Sequence, residues 1–194
     1  MQVMFDPLKT HINKFAQISD DEFQRISTYF QHRILKKKEN LLVEGQVCRV
    51  NYFVLNGILR KFFINDKGVE QTTEFAIENW WMTETFSYLN KEPTPFYIQA
   101  VQQTDVLAIQ QAGYDNLLQE HPVMERYFRC IYQKAYAAAQ MRIKFIYEHS
   151  REELYHHFRK NQPEFLQRVP QYLVASYLGF TPEYLSEIRK KKFS

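Results

Sequence analysis

Apolar positions change their period twice along the chain. In "SDDEFQRISTYFQHRI", Phe23, Ile26 and Phe30 recur at helical intervals, Ser19 stands where an N-cap belongs, and acids fill the first turn. The first 40 residues therefore read as helical. From Asn40 to Gln110 the pattern breaks into short apolar or alternating runs, "NLLVEG", "VNYFVLNG", "ILRKFFINDKG", "EQTTEFAI", "PFYIQAV" and "TDVLAI". Asn56-Gly57 and Asp66-Lys67-Gly68 divide them as tight turns, where glycine takes positive φ without penalty. Many short strands at this spacing predict a double-sheet jelly roll or barrel.

Helical spacing returns from Tyr114 to about His149, with Pro122 tolerated near the start of a long helix. Met124, Ile131, Ala138 and Phe145 fall seven apart, and Phe128, Ala135 and Met141 add apolar positions between them. That is a coiled-coil-like seam. It fits a helix packed on its own sheet, or a second copy of the helix; the small residues of "AYAAAQ" permit close approach and favour the dimer. A shorter helix, roughly Arg151 to Lys160, leads into "NQPEFLQRVPQ", where Pro163 and Pro170 each discourage helix across the preceding residue.

The closing stretch, "PQYLVASYLGFTPEYLSEIRKKK", has the spacing of a helix-turn-helix. Ala175 stands at the close approach, Gly179 at the turn, and Val174, Leu178, Phe180, Leu185 and Ile188 at the buried positions. Thr181 can cap the second helix, Pro182 suits its first position, and Glu183 favours the positive end of its dipole. Glu183, Ser186, Glu187 and Lys190 would then face outward, within reach of base edges, while Arg189, Lys190, Lys191 and Lys192 would contact phosphates. The competing reading is a structural helical hairpin with a solvated basic tail.

Composition narrows the function. The 194 residues, 45% apolar, suit one large or two small domains. No run approaches the roughly 20 apolar residues of a membrane span, and the start lacks a signal-peptide core, so a cytoplasmic protein without membrane contact is expected. Cys48 and Cys130 are too few for a disulfide framework or a four-cysteine metal site. No histidine lies between His32 and His121, so no metal site is expected on the strands; His149, His156 and His157 are expected on exposed helices or loops. Catalytic residues are not indicated, since no nucleophile–base pair or phosphate loop stands out. The net charge of +3 matters less than its distribution. From Arg168 onward there are five basic residues against two acids, whereas Lys91 is the one Lys or Arg between Gly68 and Glu125, set against nine acids.

The run from Gly45 through "YFVLNG" to Gly57, the long helix, and "VPQYLVASYLGFTPEYLSEIRKK" together resemble the cyclic-AMP receptor and Fnr (Crp/Fnr) family of bacterial transcription regulators. The resemblance implies an α+β protein: a cyclic-nucleotide-binding-like jelly-roll sensor domain over 1–121, a dimerisation helix over 122–149 and a helix-turn-helix DNA-binding domain over 150–194. It further implies a homodimer on a palindromic operator of double-stranded DNA, with RNA polymerase as a further partner. Cyclic AMP is not the expected effector. Cyclic-nucleotide-responsive members carry Gly-Glu and, about ten residues on, Arg followed by Ser or Thr; here Thr83-Glu84 and Thr94-Pro95 take those places, with no arginine between Arg60 and Arg126. "ENWWMTETFSYL" offers a different pocket, of Trp80, Trp81, Glu84, Phe86 and Tyr88, or else simply core. No cofactor is identified; the oxygen-sensing branch needs four cysteine ligands. The family's base-contacting Arg, Glu and Arg are matched by Pro182, Glu183 and Glu187, and its β wing is expected to be reduced or absent. A module of the same fold that binds a ligand or protein but no longer binds DNA is the alternative.

Overall fold

The computed structural model describes residues 2–190. Helices α1 (Gln2–Asn13) and α2 (Asp20–Ser27) open the chain. The Ser19 hydroxyl accepts a hydrogen bond from the Glu22 amide at 3.1 Å and caps α2, as its position predicts. The helical lead is shorter than the expected 40 residues. Gln31–Leu35 form strand β1, because they find a ladder partner in β8 (Thr104–Gln110), and tertiary pairing overrides local spacing.

Between these lie β2 (Asn40–Leu42), β3 (Val50–Asn56), β4 (Leu59–Ile64), β5 (Glu70–Ala76), β6 (Trp81–Met82), the short helix α3 (Thr85–Asn90) and β7 (Tyr97–Ala100). They build two antiparallel four-stranded sheets, ordered β1-β8-β3-β6 and β2-β7-β4-β5, which is jelly-roll order. Asn56-Gly57 carries the chain from one sheet to the other. Gly57 sits at φ +101°, and a Cβ there would meet Thr104 Oγ1 at 2.6 Å and the Gln103 carbonyl at 2.8 Å, so only glycine fits.

Successive side chains on a strand face opposite ways, so "NYFVL" is apolar on both faces of its sheet. Tyr52 and Val54 join Leu59, Ile98, Ala100 and Val106 in a core between the sheets. Phe53, Leu107 and Ile109 face outward into a second core, closed by α1, α2, α4 (Gln111–Glu120) and the first turns of α5 (Val123–Glu148). The outer face of the other sheet is covered by α6 (Arg151–Asn161), α7 (Pro163–Arg168), α8 (Gln171–Leu178) and α9 (Pro182–Lys190). There Ile58 and Val101, flanking the ends of β4 and β7, meet Tyr155, Val169, Leu173 and Val174.

The α6 helix matches its expected span and carries a capping box between Ser150 and Glu153. The segment where a β wing would lie holds α7 instead, with Pro163 at its first turn, where proline starts a helix as readily as it ends one. Among the described residues, no helix is long and apolar enough to cross a membrane.

One polar chain crosses the outer core of the first sheet. The Trp81 indole N–H donates to the Tyr127 hydroxyl at 2.8 Å, which leaves that hydroxyl's proton for His11 Nδ1, also at 2.8 Å. Burial, with Lys14 and Lys134 nearby, lowers the His11 pKa to about 4 from its ordinary 6.5. The imidazole is thus neutral in the fold while the unfolded chain takes up a proton from about pH 6.5 downward. Stability is expected to fall as pH drops from about 6.5 to about 4, with no further loss from this group below that. His11→Gln should flatten that window in urea titrations run at successive pH values.

Candidate nucleic-acid interface and sensor cassette

The turn between α8 and α9 follows from Gly179, which takes the left-handed conformation at φ 75° and lets the Phe180 amide reach back to the Ala175 carbonyl at 2.8 Å. Thr181 Oγ1 then accepts from the Tyr184 amide at 3.2 Å, and Pro182 follows as the first helical residue. Val174 and Ala175 are fully buried where the helices approach, and Leu185 and Ile188 fix the inner face of α9. Thr181, Pro182, Glu183, Ser186, Glu187, Arg189 and Lys190 are all exposed. Lys191 and Lys192 lie outside the described residues. Glu183 in the first turn and Arg189 and Lys190 in the last complement the helix dipole. The outward surface is therefore acidic at one end and basic at the other.

The residues expected to line an effector pocket do not converge on one cavity. Trp80 and Phe86 are exposed, Trp81 packs against the outer core of the first sheet, and Tyr88 belongs to the core between the sheets. Glu84 is 4% exposed and caps α3: one carboxylate oxygen accepts from the Phe86 amide at 3.2 Å, the other from the Ser87 amide at 2.8 Å. Other polar groups of the segment from Thr83 to Phe96 are bonded within it or to residues 48–50, although the buried Tyr88 hydroxyl has no hydrogen-bond partner among the described residues. Ser87 accepts from the Cys48 amide at 2.8 Å and donates to the Glu92 carbonyl, Thr83 donates to the Val50 carbonyl at 3.0 Å, and the Thr94 hydroxyl accepts from the Phe96 amide at 3.0 Å. Lys61 reaches the Thr83 carbonyl at 3.4 Å and pairs with Glu74 at 2.6 Å. Arg60 is committed elsewhere, with two bonds to Gln99 at 3.0 and 2.7 Å and an ion pair with Glu70 at 2.7 Å. Two clefts of about 430 and 460 Å³ lie beside α1 and α2, lined by Arg25, Tyr29 and His121 in one and Lys14, Val123 and Arg126 in the other, and neither contains an expected pocket residue.

The long helix divides its apolar residues between two faces. Met124 and Phe128 are buried in the chain's own core with Ile131 against them, and Phe145 stacks on His149 at 5.7 Å and lies 4.6 Å from the His157 ring. Of the expected seam, Ala135, Ala138 and Met141 remain exposed. A second stripe, Tyr132, Tyr136, Ala139, Ile143 and Ile146, is exposed throughout at alternating spacings of four and three. It lies roughly a quarter-turn from the first.

Residues 32–121 match the model of the cyclic nucleotide-binding domain family. The CLP regulator of Xanthomonas campestris, described as c-di-GMP-responsive, superposes with a TM-score of 0.71 at 15% identity over 89% of this chain and 91% of its own. FixK2 of Bradyrhizobium japonicum gives 0.70 at 14% identity over 84% and 83%. A Crp/Fnr-family regulator of Eubacterium rectale gives 0.68 at 15% identity over 90% and 83%. The chain shares the fold of these three solved proteins. No curated protein sequence matches it.

Within the Crp/Fnr fold, the structure adds residues that sequence reasoning missed. Arg142, Arg168, Ser176 and Glu78 join the C-terminal helices to the sheet, and no local pattern marks them, because the partners in these ties lie 35 to 111 residues apart. The exposed stripe on α5 did carry a signal, the alternation of four and three, which the seven-residue spacing of the other face masked.

Glu84 is expected to be structural. Glu84→Ala leaves two amides without acceptors and should cost about 1–2 kcal/mol in chemical denaturation, whereas Glu84→Gln, which keeps one acceptor, should cost less.

Proposed function

We propose that the protein is a homodimeric, DNA-binding transcription regulator of the Crp/Fnr type, whose sensor domain responds to an effector other than cyclic AMP. The observation that carries the reading is the capped α8–α9 pair: its inner face is buried on the sheet while Thr181, Glu183, Ser186 and Lys190 stay exposed on one helix. A helix so presented fits the major groove, with Glu183 accepting from a cytosine amine and Arg189, Lys190 and Lys191 neutralising phosphates. In a two-fold dimer the two α9 helices would meet half-sites about 34 Å apart on a palindromic operator.

The case against cyclic AMP is chemical. A cyclic phosphate needs a cation aimed at it, and Lys61, which reaches the Thr83 carbonyl, is already paired to Glu74 while Arg60 is paired to Glu70. A module that has lost DNA binding is favoured by one observation, the exposed Glu187 on the outward face of α9, which would repel phosphate.

Genome-wide mapping of bound DNA tests the reading, and recovery of no preferred sequence would remove it. Lys190→Gln should weaken every site alike and reduce the salt slope by about one, whereas Glu183→Gln should change which sites are preferred by about 1–3 kcal/mol.

The dimer is assigned to the exposed stripe of α5 rather than to the seam used within the chain. A stripe alternating by four and three is self-complementary between two copies of one helix. Ile143→Glu is expected to shift the protein to monomer in analytical ultracentrifugation at micromolar concentration, and Ala138→Glu on the other face to leave the dimer largely intact.

A further inference from the structure

Strand β5 lies at the end of its sheet, so the backbone groups on its far side have no ladder partner. Side chains from the helices supply them. Ser176 of α8 accepts from the Thr72 amide at 2.9 Å and donates to the Glu70 carbonyl at 2.8 Å. Arg142 of α5 donates to the Thr73 carbonyl and, at 2.9 Å, to the Tyr177 carbonyl of α8, with its guanidinium 3.8 Å from the Tyr177 ring centre. Between Tyr132 and Glu148, Arg142 and Phe145 are the only side chains of α5 that are even half-buried, so the distal part of that helix touches the sheet essentially through Arg142.

A second tie closes over the β3–β4 turn. Arg168, at the end of α7, makes two parallel bonds to Glu78 at 2.8 and 2.6 Å and a longer one to the Gly57 carbonyl at 3.4 Å. Glu78 in turn accepts from the Gly57 amide at 2.9 Å. Burial opposes ionisation of Glu78, but the bonds from Arg168 and the Gly57 amide prevail and hold its carboxyl below the usual range.

We propose that Arg142, Arg168 and Ser176 are positioning residues, which form a releasable latch holding the helix pair on β5 and the β3–β4 turn and so set the angle at which α9 is presented. The inference rests on the DNA-binding reading and adds its regulation. Three features make the latch releasable rather than a fixed seam. The polar ties at the strand edge are exposed or only part-buried, and the Arg168 and Glu78 side chains remain 36% and 28% exposed. The ties also land on a strand connected to the sensor segment, since Glu74 of β5 holds Lys61, which reaches the Thr83 carbonyl. A contiguous set of contacts thus runs from Thr83 through Lys61, Glu74 and β5 to Ser176 and α8.

The test uses the full chain with Arg168→Gln and the charge-swapped pair Glu78→Arg with Arg168→Glu. Hydrogen exchange over residues 70–76 reads the latch, and affinity for the mapped DNA site reads α9. Arg168→Gln is expected to speed exchange and weaken DNA binding by about fivefold each, as loss of a paired bidentate arginine implies, with oligomeric state unchanged. The swapped pair restores the ion pair but not the Gly57 bonds, since an arginine at position 78 has no acceptor, so it is expected to recover part of both losses, which a residue needed only for local packing would not do. Unchanged exchange, faster exchange with unchanged affinity, or failure of the swap to restore either would overturn the proposal. If the unaltered protein binds no DNA, the functional reading fails on that arm, and exchange with its rescue decides the latch alone.

Discussion

Strands that are apolar on both faces impose the rest of this architecture. A sheet whose inner side chains fill a sandwich and whose outer side chains are Phe53, Leu107 and Ile109, or Ile58 and Val101, cannot leave either face to water. Each fully buried large side chain is worth roughly 1.5–3 kcal/mol, so the outer faces recruit helices with an energy that surface ion pairs, at about 0.2–1 kcal/mol, cannot rival. The N-terminal helices and the base of α5 cover one sheet; the C-terminal helices cover the other. The helix pair is therefore a layer of the fold. Its apolar floor supplies the hold, and the directional bonds of Arg142, Arg168 and Ser176 supply the register.

The same economy of partners shapes the segment between β6 and β7. A buried carboxylate is tolerated when hydrogen bonds saturate it, and Glu84 meets that condition with two backbone amides. Glu84 is consequently a cap, with each of its oxygens already engaged by a backbone amide. Lys61 and Glu74 satisfy each other beside it in the same manner. A ligand entering this segment would have to displace internal bonds, so an effector for this domain must offer replacements for them or act at another surface.

The fold was largely legible because its signals are local. The caps at Ser19 and Thr181, the glycine turns at Gly57 and Gly179 and the alternation of the strands each depend on residues within a few positions, and each appears in the structure. The strand at Gln31–Leu35 was not legible, since its identity depends on β8, some 70 residues away. Nor was α7, whose two flanking prolines looked like breaks. At the candidate site, the outward face of α9 could be read from helix periodicity. The scatter of Trp80, Trp81, Phe86 and Tyr88 could not, because an aromatic cluster in sequence carries no information about which sheet face or helix each ring will meet.

The long helix brings these arguments together. Its period allows two apolar stripes, and the chain's own core takes the one with the stricter seven-residue spacing, because Met124, Phe128 and Ile131 reach the sheet while the helix is still close to it. Beyond Tyr132 the helix leaves the body, and the inner stripe is continued by Arg142, a side chain long enough to bridge back to β5 and α8. A second copy on the outer stripe would bear on an adjacent face of the same helix, about a quarter-turn away. In the proposed dimer, movement of one α5 against the other would therefore reach Arg142 directly, and with it both the edge strand and the scaffold of α9. That placement would let one helix serve both association and orientation in the proposed dimer.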